Sequence, residues 1–322
     1  MNMKAPPAWW IIVGLFTGVF TAVTLLSAVL SVLVYDGLVG SDHGLATWVL
    51  EKGPHKVMRR FMMLGVLIFI PSFLRLIRWG GREDIGWARI EPLDGGMSRR
   101  SQCGLGLLMG FVTLGSVVAL MYRAGHRVVD VSAWTPGVLV EMFLYVLVAL
   151  LIALIEETAV RGVLYRALAR LWGFWPTALA TSLLFAWVHF LKADPSAFEG
   201  VGIWDRTVAV ILSMFDGPAR TVAFWPRFLS LTAMGLALCV VVQRTGTVWW
   251  AVGLHGAWVW IKKVNGALGD SADGITAGPW LGVRSDATDG YVTVLLLLLL
   301  AASLSRMLRQ PPTMSDAQSD ER

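Results

Sequence analysis

The sequence predicts an all-α fold, a polytopic membrane bundle of about eight transmembrane helices. Three observations carry that expectation. Apolar residues make up 56% of the 322, and charged residues only 15%, where soluble domains carry roughly 25% charged residues. The apolar residues gather into separate runs, several of them long enough to cross a hydrocarbon core ~30 Å thick. Between the runs lie connections rich in Gly, Arg and Lys, and the 16 Trp suit interfacial belts as well as packing.

The first span reads from Trp9 to Tyr35, as a retained helix with no convincing signal-peptide cleavage site. Asp36 to His55 is a Gly- and charge-containing loop. Phe61 to Ile77 forms a shorter second span, flanked by Arg59, Arg60, Arg75 and Arg78, with a kink expected at Pro71. Gly80 to Gln102 is the most polar internal stretch, a loop or short interfacial element. Cys103 to Tyr122 is the third span. Its glycines permit close helix contacts. After a loop ending at Pro136, the fourth span begins at Gly137, and its helical spacing continues through Arg161, Tyr165 and Leu168 to Gly173. Trp175-Pro176 opens a fifth span to Phe190, with Pro suited to a first turn. Within the connection 191–227, Ile203 to Phe215 is amphipathic and suits the membrane interface. Phe228 to Val242 and Val248 to Ile261 are the sixth and seventh spans, joined by the tight turn Arg244-Thr245-Gly246-Thr247. A polar stretch, 262–290, leads to the eighth, Tyr291 to Leu304, and the tail from Arg306 is expected to be disordered. The regions are then 1–136 (N-terminal helices and loops), 137–262 (catalytic core helices) and 263–322 (polar loop, last helix and tail). The Arg-rich connection after the second span places both termini in the cytoplasm.

The net charge of +5 does not indicate nucleic acid, because the basic residues flank hydrophobic ends, as anchoring in a lipid bilayer requires. The two cysteines, Cys103 and Cys239, sit in apolar runs and read as small buried hydrophobes. They offer neither a disulfide framework nor a thiolate zinc site.

Glu156 and Glu157 close an apolar run, 137–155, that is broken only by Glu141. A charge at membrane depth costs at least ~2.5–3.5 kcal/mol on insertion scales, so intramembrane acids are functional candidates. The alternative is that the helix leaves the lipid here. If instead it continues to Trp172, turns at Gly173 and returns to Phe190, Glu156 and His189 both lie ~25 Å from the turn, at one depth. His255 lies ~12–13 Å beyond the Arg244–Thr247 turn, and tilt could bring it level. Glu157 and Arg161 stand four residues apart on one helix face and can pair, while Glu156 is rotated by ~100° and remains free to exchange a proton. Simple pairing of both glutamates with Arg161, Arg166 or Arg170 is the rival arrangement. Thr177, Thr181, Phe185 and His189 form a stripe suited to a protein-facing surface. Of the five histidines, His189 and His255 lie in apolar spans, while His43, His55 and His126 lie in loops. No His-Glu-x-x-His signature, Gly-x-Ser-x-Gly turn or phosphate-binding loop occurs. A water activated by a carboxylate, with or without a metal, is the economical chemistry.

Glu156-Glu157-x-x-x-Arg161-Gly162 with Leu164-Tyr165-Arg166, then Phe185-x-x-x-His189, then Gly246, Trp249 and Gly253-Leu254-His255-Gly256-Ala257-Trp258 resemble the CPBP family. These are the CaaX-protease and bacteriocin-processing intramembrane endopeptidases, also called Abi proteins. The resemblance implies an all-helical membrane fold with a buried site that hydrolyses a peptide bond of a membrane-associated peptide or protein. Glu156 is similar to the family's catalytic glutamate, which activates water with His189. Glu157 and Arg161 match the supporting pair, and His255 matches the histidine that positions the substrate carbonyl or stabilises the oxyanion. The resemblance leaves a cofactor open. A divalent metal such as zinc would take Glu156, His189 and His255. One departure is Val259, where the family usually has Asn or Asp. Valine neither donates to an oxyanion nor ligates a metal, and losing one such donor typically costs on the order of 10²–10³ in rate. Two further functions compete with proteolysis: a catalytically impaired protein of this fold acting in immunity or partner binding, and a transporter with a Glu/His proton relay. For the latter, no pair of interrupted spans in corresponding halves is found. A compact chain without eukaryotic retrieval signals is expected in a bacterial inner membrane.

Overall fold

The computed structural model describes residues 9–39, 53–77, 79, 81–88, 97–219, 221, 223–271, 278–282 and 286–307, with the single residues 44, 47 and 50. Each of the eight expected spans falls on a helix. In chain order the helices are α1 (Trp9–Leu38), α2 (Pro54–Leu76), α3 (Arg99–Arg123), α4 (Pro136–Glu157), α5 (Arg166–Trp172), α6 (Phe174–Val188), α7 (Ile203–Phe215), α8 (Phe224–Thr245), α9 (Trp249–Leu268) and α10 (Tyr291–Met307). A π-helical segment, Thr158–Tyr165, joins α4 to α5, so Pro136–Trp172 runs on without a break, as the helical spacing predicts. Five helices are long and apolar enough to cross a membrane among the described residues: α1, α2, α3, the α4–α5 run and α8. α6 and α10 are shorter apolar helices. The protein is a multi-pass membrane protein.

Local chemistry sets the helix ends. Ser98 accepts from the Ser101 amide and starts α3, and Thr135 accepts from Val138 ahead of Pro136 at α4. Gly173, at φ 76°, stops α5, and Gly246, at φ 66°, makes the turn between α8 and α9. Several details differ from the sequence expectation: α2 starts at Pro54, ahead of Phe61, so His55 lies in its first turn and not in a loop, and α8 starts at Phe224. α3 begins at Arg99, because Ser98 caps it earlier than the apolar run begins. α10 runs through Arg306 to Met307, and the rest of the expected disordered tail lies outside the described residues. A three-residue antiparallel pair, β1 (Arg127–Val129) with β2 (Gly269–Ser271), interrupts the all-helical pattern, with Arg127 opposite Ser271 and Val129 opposite Gly269. Pro71 lies inside α2.

The described residues divide into two units. In the first, α1, α2 and α7 surround a core that includes Ala28, Val32, Met58, Phe198, Val210 and Met214. Arg206 of α7 makes a bidentate pair with Asp36 of α1, at 2.5 Å for each bond. The expected amphipathic helix is present as α7. It buries Arg206, Thr207, Val210 and Ser213 and exposes Trp204, Val208, Leu212 and Phe215.

The second unit holds α3 to α6 and α8 to α10. α8 is its interior helix: 72% of its apolar window is buried, against 17–28% for the other four long candidates. α9 is buried continuously from Trp250 to Trp258. Its seat is set by missing side chains. A Cβ on Gly106 of α3 would meet the Trp250 carbonyl, one on Gly253 would meet the Cys103 carbonyl, and one on Gly256 would lie 2.9 Å from Leu150 of α4. Close approach at small residues is how membrane helices gain packing without a hydrophobic driving force. Indole hydrogen bonds then fix the rotation of α9: Trp258 donates to Thr113 and Trp260 to the Met142 carbonyl, at 3.0 and 2.9 Å. Beyond its buried stretch, Lys262 meets Asp286 at 2.7 Å, and Arg227 of α8 bridges Asp286 and Asp289. Burial works against ionisation of Asp286, but the Lys262 and Arg227 charges outweigh it and hold its carboxyl below the usual range. Burial and the adjacent Asp286 charge push Asp289 up to about 6.

Replacing Gly253 with Ala is expected to cost about 1–3 kcal/mol by forcing α9 off α3, read as a lower unfolding temperature of the purified protein. Gly115→Ala on α3, where a Cβ meets nothing within 4 Å, is the control. It should leave stability unchanged or raise it by about 0.5–1 kcal/mol.

Candidate active site

Glu156 and Glu157 are the last residues of α4, and the backbone widens immediately after them into the π-helical segment. Such turns are rare and concentrate at functional sites. Several contacts hold this one open. Ile85 presses its carbonyl against Gly162, where a Cβ would come within 2.7 Å. Trp87 donates to the Thr158 hydroxyl at 3.0 Å. The segment 81–88 that carries both residues is in turn held by Arg166, which donates to the carbonyls of Asp84, Glu83 and Gly246 at 2.9, 3.0 and 3.1 Å. Arg170 pairs with Asp84 at 3.4 Å. Arg166 and Arg170 are thus directed at this segment, and Arg161 is the guanidinium on Glu157.

Arg161 Nη1 donates to Glu157 Oε1 at 3.0 Å, with both side chains fully buried. His255 Nδ1, from α9, lies 2.9 Å from the same oxygen. Phe185 of α6 packs on both partners. The Arg161 guanidinium carbon sits 4.3 Å from the ring centroid, and the imidazole meets the ring edge-on at 5.8 Å. Stacking of this kind offsets desolvation of the cation. Arg161 Nη2 faces the Gly235 carbonyl of α8 at 3.5 Å. Gly235 has no side chain to hold α8 away from α6, and a Cβ there would lie 2.7 Å from Ser182.

An ionised carboxylate is purely an acceptor, so its bond to Nδ1 makes that nitrogen the donor and leaves Nε2 as the working atom of the His255 ring. Nε2 lies 3.9 Å from Glu156 Oε2. That gap is too wide for a direct hydrogen bond, but one water can touch both atoms across it. The Glu156 side chain is 30% exposed where Glu157 is fully buried. The two adjacent carboxylates are therefore divided, one locked in an ion pair and one open to solvent.

The structure brings together Glu156, Glu157, Arg161 and His255. His189 directly follows α6, four residues after Phe185. It is half-buried and belongs to the first unit. Val259 is half-buried one helical turn past His255. The contact between His255 and Glu157 is closer than the helix-rise estimate suggests, and the Arg166–Gly246 bond explains why. The α8–α9 turn is level with Arg166, ten residues from Glu156, and not with Gly173, so His255, nine residues beyond Gly246, arrives at the glutamates. The Gly235 carbonyl and the clamp from Arg166 carry no signal in residue type alone, because both act through the backbone.

A catalytic zinc takes three protein ligands. Within this unit Glu156 and His255 supply two facing donors, and among the described residues no three His, Cys, Asp or Glu side chains gather to hold a metal.

Residues 138–261 match the family model described as type II CAAX prenyl endopeptidase Rce1-like. Over these residues the chain is similar to the CAAX protease (CPBP) family. The match runs from α4 into α9 and contains all five candidate site residues. No curated protein and no solved structure matches the chain. The match supports a membrane-embedded protease in general terms, a family whose members work in lipid on a protein or peptide.

Breaking a buried pair leaves an uncompensated charge that costs about 3–5 kcal/mol. Arg161→Leu should therefore lower stability by about that amount, measured by thermal unfolding in detergent. Adding Glu157→Gln, which removes the charge and keeps an acceptor for His255, should recover most of it.

Proposed function

We propose that this protein is an intramembrane endopeptidase of the CAAX protease type, with Glu156 as general base, acting on a membrane-associated protein or peptide in a bacterial inner membrane. The observation that carries this reading is the placement of His255. Glu157, neutralised by Arg161, holds Nδ1 and turns Nε2 toward Glu156, the one carboxylate of the pair open to solvent.

The steps follow from those positions. Glu156 takes a proton from a water near Nε2, and the hydroxide adds to the scissile carbonyl. His255, protonated on both ring nitrogens, donates from Nε2 to the oxyanion while Nδ1 keeps its bond to Glu157. Glu156 then returns the proton to the leaving amine, so that one water is consumed and two termini are formed. His189 is assigned to water activation with Glu156 on the family motif alone. Glu157 and Arg161 act through His255 as positioning residues.

Glu156→Gln should abolish cleavage while the protein stays folded and inserted. The readout is a comparison of membrane peptides from cells carrying wild type or variant, in which a precursor accumulates with the variant. Unchanged peptides would overturn the mechanism.

A second reading, a catalytically impaired member acting by partner binding, is favoured by one residue. Val259 presents hydrocarbon where the family usually places a hydrogen-bonding side chain. If turnover is limited by that loss, Val259→Asn should raise the cleavage rate by up to about 10²-fold. A rate unchanged by Val259→Asn would show that His255 suffices.

A further inference from the structure

The segment 81–88 lies outside residues 138–261, which match the family model, yet it touches both halves of the site. Three consecutive residues make the contacts. The Trp87 indole donates to the Thr158 hydroxyl and the Ile85 carbonyl presses on Gly162, so one side rests on the π-helical turns behind Glu156 and Glu157. The other side meets the start of α9. That helix begins without a side-chain cap, and its Val248 amide donates to the Gly86 carbonyl at 3.0 Å. The Trp249 indole donates to the Trp87 carbonyl at 3.0 Å, and the two ring systems lie 6.0 Å apart. Trp87 is thus bonded to both limbs at once. Thr158 stands two residues after Glu156, and Trp249 six residues before His255. The segment keeps its own shape through the Trp87 and Ala88 amides, which both donate to the Arg82 carbonyl at 2.7 and 3.1 Å. Gly86, at φ 70°, makes the turn between the contacts.

We propose that Trp87 is a positioning residue for the cleavage reaction, setting the distance between Glu156 and His255 through Thr158 and Trp249. The proposal rests on the endopeptidase reading for its effect on rate, and on the contacts alone for the bridge. The gap of 3.9 Å between Glu156 Oε2 and His255 Nε2 admits one water touching both atoms. Glu157 fixes the imidazole at Nδ1, but nothing in that bond fixes the neighbouring carboxylate. Glu156 is placed by the end of α4, and that end is placed by the wide turns that follow it. Such turns are rare because regular helix competes with them. Without the indole N–H, the Thr158 hydroxyl loses its donor, and the wide turns are free to close. The start of α9 hangs on the same residue, so the two sides of the gap shift against each other. A misplacement of ~1 Å at the reacting atoms can cost ~10²-fold in rate. Trp87 acts through Thr158 and Trp249 and not on the substrate, so its loss is felt in kcat.

The test has two arms, both on the full chain in detergent. In the first, the precursor that accumulates in Glu156→Gln membranes is purified and used as substrate, with rates taken per folded molecule. Trp87→Phe and the isosteric Thr158→Val should each lower kcat by about 10- to 100-fold. KM should stay within about 2-fold. Thr158→Ser, which keeps the hydroxyl, should retain most of the wild-type kcat. The double variant Trp87→Phe/Thr158→Val should fall no further than either single one, because both remove the same bond. In the second arm, deuterium exchange is followed without substrate. Residues 158–165 and 248–254 should both exchange about 3-fold faster or more in Trp87→Phe. A lower unfolding temperature with kcat unchanged would mean a structural role only, and losses that add in the double variant would mean two independent effects. Either result overturns the proposal. Exchange unchanged at either segment overturns the bridge itself. If no precursor accumulates with Glu156→Gln, the endopeptidase reading fails and the positioning role falls with it, while exchange still decides the bridge. If Glu156→Gln is inactive but both single variants keep the wild-type kcat, the catalytic assignment stands and the positioning role fails.

Discussion

The contact between Arg161 and Glu157 is the constraint around which the second unit is built. Two opposite charges are withdrawn completely from solvent, and their mutual attraction alone rarely repays that desolvation. Further contacts offset it: the Phe185 ring against the guanidinium, the Gly235 carbonyl opposite Nη2, and the His255 nitrogen on the carboxylate. Each compensating group comes from a different helix, α6, α8 or α9. Satisfying one ion pair therefore fixes the relative placement of four membrane helices. The arrangement is incomplete, since Glu157 Oε2 and Arg161 Nε lack hydrogen-bond partners.

Glycine makes those placements geometrically available. Gly106 and Gly253 bring α9 onto α3, Gly256 brings it onto α4, and Gly235 brings α8 onto α6. None of these residues contributes a side chain, and only Gly235 contributes a backbone contact to the ion pair. Without them the imidazole and the carbonyl would stand farther from the ion pair by about the thickness of a side chain, and their contacts at 2.9 and 3.5 Å could not form.

Much of this was legible in the residues. The apolar runs locate the helices because burial in lipid demands them. The four-residue spacing of Glu157 and Arg161 announces the pair because it is local to one helix face. The continuation of that helix past the acids could be read from Tyr165 and Leu168. The depth of His255 could not be read with the same accuracy. It depends on where the α8–α9 turn stands against α5, and the Arg166–Gly246 bond that settles this is a side-chain contact to a backbone atom. The role of the polar stretch before α3 was hidden for the same reason. Ile85 and Trp87 work through a carbonyl and an indole N–H against Gly162 and Thr158, and nothing in their composition distinguishes them from an ordinary surface loop.

The wide π-helical segment has a consequence for how such a chain can vary. A turn bonded i to i+5 holds one residue more than an α-helical turn, so the segment 158–165 carries a residue that ordinary helix geometry would leave out. Loss of a single residue there would let the helix close into regular form without a break in the chain. The downstream side chains would keep their phase, because the five residues of the wide turn rotate the chain about as far as four α-helical ones, so Arg166 and Arg170 would stay on the carbonyls and carboxylate they hold. In most surface loops a one-residue deletion is absorbed locally. Here the wide turn would absorb it at the expense of its own geometry beside Glu156 and Glu157, whereas the same loss in the regular part of α4 would re-phase everything beyond it by ~100°.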